Sequence, residues 1–83
     1  MRKYLLVCWN IKSGTVLKCI EGIGVGFLKL WALQNTKSHQ CSIIIDIEDE
    51  RIIYEVWKNR EFKTDNFYTN EDQVPCILKA CGY

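Results

Sequence analysis

The stretch that most constrains this chain is Cys41 to Trp57, CSIIIDIEDERIIYEVW. Two apolar runs flank an acidic centre at Asp49-Glu50, the pattern of two half-buried strands joined by a turn. A turn centred there sets Ile47 opposite Ile52, Ile45 opposite Tyr54, Ile43 opposite Val56 and Glu48 opposite Arg51. Strand side chains alternate between faces. A slip of one residue would therefore carry this whole apolar set to the wrong side. The sequence predicts a β-hairpin here before it predicts anything else.

A second hairpin is expected at the start of the chain. Lys3 to Ile11 and Thr15 to Ile20 flank Lys12-Ser13-Gly14-Thr15. A three-residue loop with Gly14 in the left-handed region suits that turn. Leu5, Val7, Trp9 and Ile11 then share a face with Leu17 and Cys19. Tyr4, Leu6, Cys8, Val16 and Ile20 take the other.

Glu21 to Gly26 reads as a flexible connection. Phe27 to Asn35 reads as a short helix, with Phe27, Leu30 and Trp31 at i, i+3, i+4 spacing. Only Lys29 interrupts its apolar character, so cover on most sides is expected. Lys58 to Asn70 reads as a long polar loop, with at most a short extended piece. Asp72 is placed to cap a last helix, and Pro75 to sit in its first turn. Val74, Ile77, Leu78 and Cys81 form its apolar stripe, and Gly82 its stop.

The expected fold is α+β in the order ββα-ββα. It has a four-stranded, mostly antiparallel sheet and two short helices, in one small domain spanning residues 1–83.

The net charge of +1 supplies no bulk field for nucleic acid or an anionic membrane. Before Asn10 the run YLLVCW offers six apolar residues, too few for a secretory core or a membrane span. The five cysteines are therefore expected to be reduced, and the protein cytoplasmic. Cys8 and Cys19 face apart with the three-residue loop. A two-residue turn at Ser13-Gly14 would instead bring them within disulfide reach. Cys76 and Cys81, five apart on a helix, diverge by about 140°.

Several patterns resemble chemistry without completing it. Gly22-x-Gly24-x-Gly26 precedes a helix, but Phe27 stands where a dinucleotide fingerprint would continue. Asp46, Glu48 and Glu55 are expected together on the outer sheet face. There Trp57 occupies the position of the lysine that a restriction-type nuclease would need. Ser38, His39 and Cys41 are nucleophilic types, but sequence neighbours rarely converge. No catalytic residue, metal ligand or cofactor is assigned.

The outer sheet face is the leading clue. Tyr4, Leu6, Ile44, Ile53 and Trp57 lie there among charges, and several hundred Å² of apolar surface is expected to be exposed. With Arg60, Phe62, Phe67 and Tyr68 from the following loop, they form the predicted partner-binding set. The expectation is a small non-enzymatic protein-binding module, an inhibitor or modulator of a larger protein, with a homodimer as a variant. Scarce Ala beside abundant Ile, Lys and Asn suits an AT-rich bacterial or phage genome and hence a phage-type, anti-CRISPR-like inhibitor. The alternative is nucleic-acid binding through Lys58, Arg60 and Lys63 interleaved with Phe62, Phe67 and Tyr68. A metal-dependent hydrolase using Asp46, Glu48 and Glu55 is third. No membrane partner is expected.

Overall fold

The computed structural model describes residues 1–83, the side chain of Asn59 excepted. Its first hairpin is β1 (Tyr4–Asn10) and β2 (Val16–Gly22). Asn10 builds the turn. Its side-chain oxygen accepts from the amides of Lys12 and Ser13, and its carbonyl accepts from Gly14. Gly14 has φ 74°, the left-handed conformation the sequence called for. Val7 lies opposite Cys19 and Cys8 opposite Lys18, so Cys8 and Cys19 stay on opposite faces.

Helix α1 (Val25–Asn35) follows, then β3 (Gln40–Asp46) and β4 (Arg51–Trp57). A 3₁₀ turn over Lys58–Arg60, ending on Arg60 at φ 62°, reverses the chain into β5 (Glu61–Lys63). A second 3₁₀ turn (Glu71–Gln73) leads into α2 (Val74–Ala80). The fold is α+β with an antiparallel sheet and two helices. The sheet has five strands, not four, in the order β2-β1-β3-β4-β5, and the chain order is ββαβββα. The fifth strand is the short extended piece within the Lys58–Asn70 loop, and the reversal ahead of it carries no Gly or Pro to mark it as a strand of the sheet.

The central hairpin forms, but not in the expected register. Ile45 pairs with Ile52 and Asp46 with Arg51, while Ile44 pairs with Tyr54, Ile43 with Glu55 and Ser42 with Val56. Between these two sets Ile53 is an extra residue, a β-bulge. The bulge reverses the facing of the rest of β4. Tyr54 and Val56 pass to the side of Ile44, and Glu55 and Trp57 pass to the side of Ile43. Ile47, expected in the strand, falls in the connecting turn.

The sheet therefore has a core on each face. On one, Leu5, Val7, Cys41, Ile43, Ile45 and Ile52 pack with Val74 and Leu78 of α2. On the other, Leu6, Cys8, Ile44 and Val56 pack with Leu28 and Ala32 of α1. Each fully buried aliphatic side chain contributes about 1.5–3 kcal/mol. The two helices thus hold opposite sides of one sheet.

The end of α2 is closed by a Schellman motif. The Tyr83 amide donates to the Leu78 carbonyl and the Gly82 amide to the Lys79 carbonyl, with Gly82 at φ 94°. At the other end Asp72, expected to cap this helix, lies inside the preceding 3₁₀ turn, which Asn70 caps by accepting from the Asp72 amide. Helix α2 itself has Gln73 at its N-cap, with no side-chain cap. Among the described residues no helix is long and apolar enough to cross a membrane.

Candidate functional site

Helix α1 changes where a partner could be met. It lies over the sheet face expected to be free. Leu6 is 0% and Ile44 1% exposed, so neither has surface to offer a partner. Tyr4 is half-buried against the same cluster. Trp57, turned by the bulge, packs against the opposite core. Of the predicted sheet-face anchors only Ile53, the bulged residue, is neither fully buried nor part of a core cluster.

The apolar surplus reappears on the outer side of α1. Leu28 and Ala32 face the sheet. A helix turns 100° per residue, so Phe27, Leu30 and Gln34 fall on the side away from Leu28 and Ala32, while Trp31 lies on the flank against the α1-side core. Phe27 is 66% and Leu30 55% exposed, and Ile23, just before the helix, is 64% exposed. Trp31 is half-buried at the margin. Together Ile23, Phe27 and Leu30 present on the order of 300 Å² of apolar surface, the scale at which a patch is often functional. The ridge carries no charge. The one ionic group of the helix, Lys29, is drawn away over the rings of Phe62 and Tyr54, at 4.7 and 5.2 Å. Sequence reading placed Phe27 and Leu30 in a helix but not in a site. The apolar character of this helix implies cover on most sides, but the single sheet beneath it covers only the Leu28–Ala32 side and leaves Phe27 and Leu30 exposed.

The loop after β5 is organised by a buried carboxylate. Glu55 is 0% exposed. Its Oε1 accepts from the Tyr68 amide at 2.7 Å, and its Oε2 from the Thr69 amide at 2.9 Å and the Thr69 hydroxyl at 2.6 Å. The Cys41 thiol lies 3.9 Å from the same oxygen, and burial followed by the Glu55 charge pushes that thiol well above its usual range. Buried charge is tolerated only where donors surround it. Glu55 therefore acts as the tether that folds residues 64–70 back onto β4.

That folding separates the basic and aromatic residues. Phe62 lies opposite Val56 and stacks on Tyr54, 5.3 Å between centroids, on the α1 side of the sheet. Phe67 packs into the α2-side core. Tyr68 leans on Trp57, 5.2 Å between centroids, and donates to Glu61, with Lys63 over its ring at 4.4 Å. Phe62 and the Phe67–Tyr68 pair thus lie on opposite faces and make no common stacking platform. Arg60 is exposed at the turn before β5.

The expected acidic triad is also divided. Glu55 is on the α2 side, while Asp46, Glu48 and Asp49 gather around Arg2, whose Nη1 lies 2.8, 3.3 and 3.1 Å from their carboxylates. A cation is already supplied by the chain, and no group of ligating side chains able to hold a metal occurs among the described residues. His39 is exposed in a turn at φ 72°, and Cys41 is buried. The two are not brought together as a nucleophile and its base.

The loop of residues 64–71 bounds a polar concavity with Arg51 and Ile52, of about 670 Å³. A smaller groove of about 350 Å³ runs between α2 and the first hairpin, past Val7, Trp9, Val16, Cys76 and Ile77. The uncharged ridge of α1 projects from the opposite side of the sheet. No protein-family model, curated protein or solved structure matches the chain.

Proposed function

We propose that this chain is a non-enzymatic protein-binding module, an inhibitor or modulator of a larger protein, that inserts the outer ridge of α1 into an apolar groove of its partner. What carries the reading is the exposure of Phe27 and Leu30 on a helix that has already met its packing duty through Leu28 and Ala32. Anchors one turn apart on one helical face are the pattern by which helices dock into grooves.

The partner's shape follows from the size of the ridge. An eleven-residue helix is about 16 Å long. Two copies touching along that line would bury much less than the roughly 800 Å² per partner of a stable interface. A groove wraps the ridge on both flanks and reaches Ile23 and Trp31 as well. A larger partner is therefore favoured over a second copy. The absence of charge along the ridge suits an apolar groove and gives no grip on phosphate.

The test compares wild type with the double variant Phe27→Ser, Leu30→Ser in capture from the native host, partners being identified by mass spectrometry. A protein held by wild type and lost at least tenfold by the double variant, with its melting curve unchanged, is the expected result. Equal capture by both would defeat the reading. Self-association of wild type alone, lost in the variant, would replace the larger partner with a second copy.

A further inference from the structure

Of the five thiols, Cys19 and Cys76 are exposed, and Cys81 is half-buried at the edge of the α2-side core. Cys19 and Cys81 are 62 residues apart in the chain, yet their Sγ atoms are 2.7 Å apart. Both are placed by rigid elements. The β1–β2 register sets Cys19 opposite Val7, on the face that α2 covers. Cys81 is the C-cap of α2, held by the Schellman bonds of Gly82 and Tyr83. A neighbouring contact joins the same two elements, since the Tyr83 hydroxyl donates to Glu21 two residues along β2. Lys3 reaches that carboxylate at 3.7 Å. Cys76 is turned about 140° away on the helix and is exposed.

We infer that Cys19 and Cys81 are a redox-responsive thiol pair, which a low-molecular-weight disulfide such as oxidised glutathione converts to a disulfide fastening the end of α2 to the β2 edge. Cys19, the exposed member, loses its proton and attacks one sulfur of the glutathione disulfide. That S–S bond breaks, one glutathione thiolate leaves, and a mixed disulfide remains on Cys19. Cys81 then loses its proton and attacks Cys19 Sγ. The Cys19–Cys81 bond forms and the second glutathione thiolate leaves. Two electrons pass from the protein to the glutathione pair, and two protons are released. Cys19 acts first because it is the member open to solvent, where glutathione meets it, whereas Cys81 is half-buried. Burial, then the Cys19 thiol beside it, pushes Cys81 up to about 12. The bond lies at the surface, where reductants reach it, as in disulfides that cycle rather than persist. It fastens the helix on the face opposite α1, so it stands or falls independently of the binding ridge.

The test is equilibration of the full chain in glutathione buffers from reducing to oxidising, followed by quenching, intact mass and peptide mapping. Wild type is expected to lose two hydrogen masses, with a Cys19–Cys81 cross-linked peptide and three titratable thiols remaining. The melting temperature should rise by about 10 °C or more, since the closed loop is long, and a dithiol reductant should reverse both changes. Cys81→Ser should instead stop at a glutathione adduct on Cys19, and Cys19→Ser should show no intramolecular bond. Cys76→Ser should behave as wild type. The inference is overturned if folded wild type keeps all five thiols in the oxidising buffer. It is also overturned if the bond maps to Cys76 or between two chains, or if the mass loss persists in either single variant.

Discussion

The two helices do the same structural work by different means. Helix α2 buries Val74 and Leu78 and turns Cys76 and Lys79 outward, a stripe matched to one sheet face. Helix α1 buries Leu28 and Ala32 against the other face and still exposes Phe27 and Leu30. Covering a sheet needs only one apolar stripe. The second stripe of α1 has no packing role within the chain, and large exposed side chains of that kind are a cost unless something else covers them. This contrast supports the proposed binding ridge on α1 rather than on α2.

The comparison can be broken at the buried stripes first. Leu28→Ala and Leu78→Ala should each cost about 2–5 kcal/mol in chemical denaturation, because each removes the main contact of its helix with the sheet. If Leu28→Ala were neutral, α1 would not be packed as described and its exposed ridge would lose its meaning. Glu55→Leu should cost about 3–5 kcal/mol, since the amides of Tyr68 and Thr69 lose their acceptor as the loop enters the α2 region. Glu55→Gln should fall between that variant and wild type, one carbonyl oxygen still serving as acceptor.

A deletion sharpens the division between the faces. Removing Ile53 erases the bulge while leaving Tyr54, Glu55 and Val56 opposite their present partners. The shortened chain should fold with a loss of about 1 kcal/mol, and amide exchange should show the same β3–β4 protection. Removing Ile44 instead would reverse the facing of part of β3, and no cooperative melt is expected. Smaller still, Phe27→Ser and Leu30→Ser should each change stability by no more than about 0.5 kcal/mol, as exposed positions do.

The smallest effect belongs to the α2 end. The Tyr83 hydroxyl is raised from the ordinary 10 to about 12, chiefly by its hydrogen bond to Glu21. The folded state holds this proton more tightly than the unfolded chain. Its contribution is therefore complete below pH 10 and is lost as the pH rises toward 12. Tyr83→Phe should lower the melting temperature slightly at neutral pH, and the difference should vanish over that alkaline window.

Much of the fold was legible because its signals are local. Gly14 and Gly82 stand where a positive φ is needed, and both have one. Val74 and Leu78 meet the core as their spacing required. The register of the central hairpin was not legible. CSIIID and RIIYEVW can be paired in more than one way with apolar residues on both sides, so alternation alone does not select one. The pattern leaves Leu6 and Ile44 at a surface for the same reason, whereas α1 buries both. A strand that is apolar on both faces does not say which face stays open. Phe62 and Tyr68 were grouped by proximity in sequence, whereas β5 puts Phe62 on one side of the sheet and the Glu55 tether puts Tyr68 on the other.

The chain's own order of residues determined its four longer strands, its two helices, the turn at Asn10–Gly14 and the stop at Gly82, because each depends on contacts within a few residues. Tertiary structure alone decided that Ile53 would bulge, that Glu55 would be buried and Trp57 turned inward. It also decided that α1 would close one face and leave Phe27 and Leu30 outside, and that Cys19 would meet Cys81. These outcomes depend on which surfaces pack together once the sheet exists. In a sheet apolar on both faces, that choice is made by the fit of whole elements and not by the pattern along any one of them.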